Sequence, residues 1–218
     1  MKKLMIFVVV FLSTVISAQN DYQETPFSNT GFGLYGGINA VTGSETGGAV
    51  LLNFHANLIS NLNLELSVGY SKIHENVSYT LKKYYITQIN NNNFFSTADS
   101  HINTKWYNVI PLSAGFQYLL YKDTFSPYLV ANVSYNWIIE TKEFSDITIT
   151  TSYPSQDAIP AEYKEFKWEP ELTHSTGINA GFGVLYKLSS KINLDFRYLY
   201  RSDSDLVDIH QFLIGITI

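Results

Sequence analysis

Short segments of this chain alternate large apolar residues on one phase with small or polar residues on the other. In residues 62–70 the even positions are Leu62, Leu64, Leu66, Val68 and Tyr70, and the odd positions are Asn63, Glu65, Ser67 and Gly69. In 192–200 the even set is Ile192, Leu194, Phe196, Tyr198 and Tyr200, interleaved with Asn193, Asp195 and Arg197. A period of two predicts β-strands. The size difference between the phases carries a second constraint, because it decides which face a closed sheet turns inward.

Eight such segments are expected, at about 32–41, 50–59, 62–70 and beyond, 106–121, 125–139, 176–187, 192–200 and 207–218. Their connections alternate in length. Residues 60–61, 122–124 and 188–191 are tight, whereas 42–49, 79–105, 140–175 and 201–206 are longer. Short turns at one end and long loops at the other are the pattern of a transmembrane barrel.

Alternation alone also fits a soluble barrel with the phases reversed. Volume separates the two. An eight-stranded barrel has an interior that side chains just fill, and five large residues per strand would overfill it. The other phase carries Gly33, Gly37, Gly69, Gly115, Gly177, Gly181, Gly183 and Gly215 with Asn53, Asn57, Ser67, Ser113, Asn132 and Ser134, which suits a narrow polar lumen. Glu65, Asp195, Arg197 and His55 fall on that phase too. A basic residue on the lipid face at mid-bilayer would cost about 2–4 kcal/mol; Lys72 and Asp208 lie on the outward phase only near strand ends. Aromatics gather at both ends of the segments: Tyr118, Phe125 and Tyr186 near the tight turns, and Tyr70, Trp106, Trp137, Tyr198 and Tyr200 towards the loops. They suggest two interfacial girdles, although a chain with 16 Tyr, 14 Phe and 3 Trp would scatter some there anyway.

The N-terminus predicts a targeting segment over 1–18: Lys2 and Lys3, an apolar run over 4–15, and Ile16-Ser17-Ala18 before a cleavage point at Gln19. The apolar run is shorter than the ~20 residues of a spanning helix. Residues 19–218 are then one barrel domain. Loss of the two lysines takes the net charge from −5 to −7. No basic patch favours nucleic acid as a partner. With no cysteine, the fold rests on its own hydrogen bonds or on a membrane.

The stretch Val109-Ile110-Pro111-Leu112, followed by Phe125-Ser126-Pro127-Tyr128-Leu129-Val130-Ala131, resembles paired strands of the small outer-membrane β-barrel domain proteins of Gram-negative bacteria, in the broad OmpA/OmpX-like and PorT-like set. Asn132 stands where that family usually has Gly. At the C-terminus Gln211, Gly215, Ile216 and Ile218 partly match the family's assembly signal, with Leu213 in place of Gly and no terminal aromatic. The resemblance implies an all-β, eight-stranded antiparallel up-and-down barrel in the bacterial outer membrane. Both termini would be periplasmic and the long loops extracellular. Its partners would be outer-membrane lipid, the barrel assembly machinery during biogenesis, and an envelope or extracellular protein.

For function, the inward cluster of Glu65, Asp195, Arg197 and His55 reads either as a structural plug or as a gate or polar-ligand site. Buried charges require pairing, and eight strands leave little open space, so the plug is favoured. His74, His101 and His174 lie near strand ends without the spacing of a catalytic or metal site; no catalytic residue, metal or cofactor is expected. Gly31-Phe32-Gly33 and Gly181-Phe182-Gly183 lack the helix of a phosphate loop. The work is expected of the two long connections, as surface interaction or envelope support. Residues 72–105 carry +2 and 140–171 carry −5, so they are either independently solvated or packed on each other. A component of a secretion or assembly machine, a narrow channel and a membrane-embedded hydrolase or acyltransferase are the alternatives.

Overall fold

The computed structural model describes residues 26–89, 92–164 and 171–218, with side chains of 89 and 143–151 left aside. The expected leader over 1–18, part of the polar tip at Asn90 and Asn91, and the loop charges Glu165, Lys167 and Glu169 lie outside the described residues.

Eight antiparallel strands close into one barrel: β1 (Thr30–Ala40), β2 (Gly47–Ile59), β3 (Leu62–Ile89), β4 (Asn92–Leu119), β5 (Phe125–Tyr153), β6 (His174–Lys187), β7 (Asn193–Asp203) and β8 (Ile209–Thr217). Each strand pairs with its sequence neighbours, and β1 closes on β8 from Gly33↔Thr217 to Ala40↔His210. The seam is extended by reciprocal bonds between Phe32 and Ile218, at 2.9 and 2.8 Å. Closure leaves no unpaired edge within the barrel wall, which a lipid environment requires.

The large phase faces outward. Phe32, Leu52, Leu66, Leu112, Val133, Ile178, Phe196 and Ile214 are all between 44% and 60% exposed, forming an apolar exterior far too large for a soluble surface. Lumen-facing Asn53, Glu65, Ser113, Asn132, Asn179 and Arg197 alternate with them. No described helix is long and apolar enough to cross a membrane; the strands do so.

The lumen is not polar throughout. Tyr35, Leu51, Leu119, Tyr128, Val130, Leu199 and Leu213 form one buried apolar layer inside it. At the long-loop end Ile73, Tyr107, Val109, Ile138 and Ile209 form a second, covered by Leu206 together with Val41, Leu172 and Val207. These residues sit on the phase that sequence reading assigned to small and polar groups. In the first layer Tyr35, Leu51, Tyr128 and Leu213 fit because glycines leave room for them.

The strands differ greatly in length. The β2–β3 ladder ends at Ala49↔Ser71 and the β5–β6 ladder at Trp137↔His174. Yet β3 pairs with β4 out to Ile89↔Asn92, and β4 with β5 out to Phe95↔Tyr153. Residues 79–89, 92–105 and 140–153, which fall in connections on the sequence reading, are therefore strands. Together with 72–78 they form a three-stranded sheet standing beyond the barrel, with ~50 Å of strand in each outer member.

Candidate functional site

Two places concentrate polar chemistry: the lumen and the projecting sheet. In the lumen, Arg197 on β7 reaches across to Glu65 on β3. Its Nη1 donates to Glu65 Oε2 at 3.1 Å and its Nη2 to Oε1 at 2.8 Å. Nη2 also lies 3.4 Å from Asp195 Oδ2. Two tyrosines complete the group. Tyr35 Oη donates to Asp195 Oδ2 at 2.7 Å, and Tyr128 Oη donates to Oδ1 at 2.6 Å. Arg197 Nε donates in turn to Tyr128 Oη at 2.8 Å. Both tyrosine rings lie beside the guanidinium, with centroids 4.8 and 5.3 Å from its Cζ, within cation–π range.

The ring positions depend on three glycines. A Cβ at Gly215 or Gly33 would strike the Tyr35 ring, and one at Gly183 would strike Tyr128. Glycine inside a strand here marks close approach by a large neighbour.

Of the four residues singled out in the sequence, Glu65, Asp195 and Arg197 thus meet in one network. His55 stands opposite Glu65 in the β2–β3 register, next to the cluster. Sequence reading missed Tyr35 and Tyr128. It also missed a second buried group nearer the long loops, where Arg201 Nη2 lies 3.7 Å from Asp203 Oδ2 and 3.4 Å from Asn136 Oδ1. Asn136 Nδ2 donates to Asp203 Oδ1 at 2.6 Å and to Ser175 Oγ at 3.1 Å. Beside it, Gln211 Nε2 donates to Asn39 Oδ1 at 2.9 Å, and Asn39 Nδ2 donates to Ser71 Oγ at 2.6 Å. Gln211, part of the C-terminal match, is thereby a lumen residue.

The histidines near the strand ends have separate local partners. His74 Nδ1 accepts from Glu45 N at 3.1 Å, and its ring lies against Trp106, centroids 4.1 Å apart. His101 Nδ1 lies 3.4 Å from Thr80 Oγ1, and His174 Nδ1 lies 3.1 Å from Thr173 Oγ1. Among the described residues no group of three His, Asp or Glu side chains is placed to hold a metal.

The projecting sheet is partly covered by the β5–β6 connection. That connection contains a 3-10 turn (Gln156–Ala158) and one helical turn, α1 (Ala161–Lys164), and α1 folds back against β3. Ile159 and Tyr163 are buried, as are Thr97, Ala98, Ser100 and Ile102 on β4. Lys82 on β3 pairs with Glu162 at 3.0 Å and lies 5.3 Å from the Tyr163 ring centroid. The hydrogen bond from Lys82 to Glu162 holds the ammonium above its ordinary pKa. The oppositely charged connections do pack on each other. Towards the barrel, Glu140 lies 3.7 Å from Lys105 and 3.5 Å from Lys142, and Tyr107 Oη donates to Glu75 Oε2 at 2.6 Å. Tyr85, Ile86 and Phe94, near the far end, are about half exposed.

Several solved structures are similar to this chain. Neisserial surface protein A is 13% identical, with 87% of this chain and 94% of that chain covered and a TM-score of 0.45. The attachment invasion locus protein Ail of Yersinia pestis is 10% identical, covering 87% and 96%, with a TM-score of 0.44. A major outer membrane protein from Thermus thermophilus is 13% identical, covering 86% and 98%, with a TM-score of 0.44. No curated protein matches the chain. The family model for the outer membrane protein beta-barrel domain matches residues 7–218. With an apolar exterior, a closed eight-stranded wall and that match over nearly its whole length, the chain belongs to the outer membrane protein beta-barrel domain family of the bacterial outer membrane.

Proposed function

We propose that this barrel is a non-enzymatic outer-membrane anchor that presents the three-stranded sheet outside the cell for interaction with an envelope or extracellular protein. The observation that carries the reading is the continuation of the β3–β4 and β4–β5 ladders far beyond the last β2–β3 and β5–β6 pairs. Loops that merely join strands need a few residues; here the chain builds a packed platform. Tight turns at one end and long elements at the other support periplasmic termini and an extracellular sheet. The lumen supports the anchoring role, because its side chains pair with one another and two apolar layers cross it.

Photo-crosslinking groups at Tyr85 and Phe94 on intact cells test the reading. The expected result is a discrete protein adduct, together with cleavage of the β5–β6 connection by protease added outside. Absence of any adduct, or a connection protected in intact cells and cut only after lysis, would overturn it.

A further inference from the structure

From Tyr84 to Thr97 the chain has no charged residue: four aromatics stand among four asparagines, Gln88 and three Ser or Thr. The β3–β4 register sorts this hairpin end onto two faces, because directly opposed residues share a face. Tyr85↔Ser96 and Thr87↔Phe94 lie on one, and Tyr84↔Thr97 and Ile86↔Phe95 on the other. Lys82 shares the second face, where it meets Glu162 and Tyr163 of α1. The first face turns away from α1. Its two rings, Tyr85 and Phe94, are 48% and 47% exposed. Thr87 is exposed beside them, as is Ser152, which stands in the row of Tyr85 and Ser96.

We propose that this face binds a neutral glycan, with Tyr85 and Phe94 as its stacking platform. The inference rests on the reading of the sheet as a contact surface outside the cell, and it names what is held there: a sugar chain of the partner protein. Tyr85 and Phe94 are diagonal neighbours across the β3–β4 pair, about 7–8 Å apart at the backbone. Two rings side by side on a sheet offer their electron-rich faces to the polarised C–H bonds of successive sugar rings. Around them Thr87, Ser96 and Ser152 carry hydroxyls, and Asn92, on the phase of Phe94, adds an amide. Hydroxyl and amide groups both donate and accept, as the paired hydroxyls of a sugar require.

Other occupants fit this chemistry less well. A sulfated glycan, an acidic peptide or an anionic headgroup is held by opposite charge, and residues 84–97 supply none. Lys83, the adjacent charge on the same face, is half-buried. Insertion into a lipid surface would strip water from the asparagines at 90–93, at a cost for every unpaired amide. A wholly apolar protein contact would leave the hydroxyls of Thr87 and Ser96 without partners. A neutral sugar satisfies the ring faces and the hydroxyls together.

The test is calorimetric titration of the whole barrel in lipid nanodiscs. The probes are neutral oligosaccharides of glucose, mannose, galactose and N-acetylglucosamine, with a heparin oligosaccharide as the charged comparison. The expected result is that a neutral oligosaccharide binds. Tyr85→Ala and Phe94→Ala each weaken it about tenfold or more, while Tyr85→Trp and Lys83→Gln retain it. Binding of the heparin oligosaccharide alone, no binding of any neutral oligosaccharide, or neutral binding that survives both alanine variants would overturn the proposal. A photo-crosslinking group at Thr87, which leaves both rings in place, separates this inference from the reading beneath it. On intact cells, a protein adduct lost in excess of the bound oligosaccharide supports both. An adduct that forms unchanged overturns the glycan and leaves the protein contact standing; no adduct at all overturns the contact surface itself.

Discussion

Arg197 and Glu65 face each other across the lumen as a two-bond fork, Nη2 to Oε1 at 2.8 Å and Nη1 to Oε2 at 3.1 Å, with both side chains about 95% buried. Removal of one member of such a pair leaves an uncompensated buried charge, a loss of about 3–5 kcal/mol. Arg197→Met strands two carboxylates, Glu65 and Asp195; Glu65→Gln leaves Arg197 with Asp195 and the tyrosines. The first is therefore expected to cost more than the second. Arg197→Met combined with Glu65→Leu recovers part of the loss, because Asp195 still receives Tyr35 and Tyr128. Urea unfolding of the refolded barrel measures this, and single variants within about 0.5 kcal/mol of wild type would contradict the plug.

The glycines make a paired prediction. A Cβ at Gly183 would meet the Tyr128 ring and lie 2.6 Å from Phe196 O, whereas one at Gly36 meets nothing within 4 Å. Gly183→Ala is expected to cost about 1–3 kcal/mol through overpacking and to loosen the Tyr128–Asp195 bond. Gly36→Ala, on the outward phase, is expected to be neutral or to gain a few tenths of a kcal/mol from reduced unfolded-state freedom. Thermal midpoints from heat-modifiable gel mobility compare the two, and equal effects would contradict the slot model for Tyr128.

How far these features are legible in the sequence depends on whether the period of two survives. Glu65, Asp195 and Arg197 stand out because charges in the alternating stretches, away from the strand ends, occur only on the small phase, where low-dielectric burial forces them to pair. Tyr35 and Tyr128 occupy the same phase but are disguised by an aromatic-rich composition; of the glycines that accommodate them, Gly215 and Gly183 lie on other strands and are matched only by the register. Leu51, Val130, Leu199 and Leu213 likewise break the small-inside pattern in a way that only cross-strand packing explains. The outer parts of β3, β4 and β5 read as loops because the register shifts between Asn76 and Tyr79, between His101 and Ile102, and between Ile102 and Thr104. Each bulge moves the side chains to the opposite face, so the alternation survives only in short pieces, such as 77–79 and 147–150, that hint at hairpins extending beyond the bilayer.

The outward phase carries a depth-dependent prediction. Val133 is 60% exposed near the middle of the membrane section of β5, and Ile139 is 65% exposed at its upper end. Val133→Lys places an ammonium in hydrocarbon, at about 2–4 kcal/mol, while Ile139→Lys reaches the interface, at about 0–1 kcal/mol. Folding titrations into short-chain lipid vesicles are expected to separate the two by at least about 1 kcal/mol. A reversed order would mean that the apolar exterior does not face lipid.

The strap over the projecting sheet separates apolar packing from charge. Tyr163 is 7% exposed and Ile159 is 2% exposed, whereas the Lys82 and Glu162 side chains are 37% and 56% exposed. Exposed ion pairs contribute little, so Lys82→Gln is expected to leave the strap docked. Tyr163→Ala removes the buried ring and is expected to speed proteolysis between β5 and β6 severalfold. The pH dependence follows from the sign of the Lys82 shift. The Glu162 hydrogen bond raises the folded-state pKa of Lys82, so its contribution is fully present below the unfolded lysine value, about 10.4, and fades only as pH rises through the higher folded value. Limited proteolysis of wild type and Tyr163→Ala between pH 6 and 9 measures both effects. A strap as resistant in Tyr163→Ala as in the wild type, or one released in the wild type on passing through neutral pH, would show that this packing does not hold it.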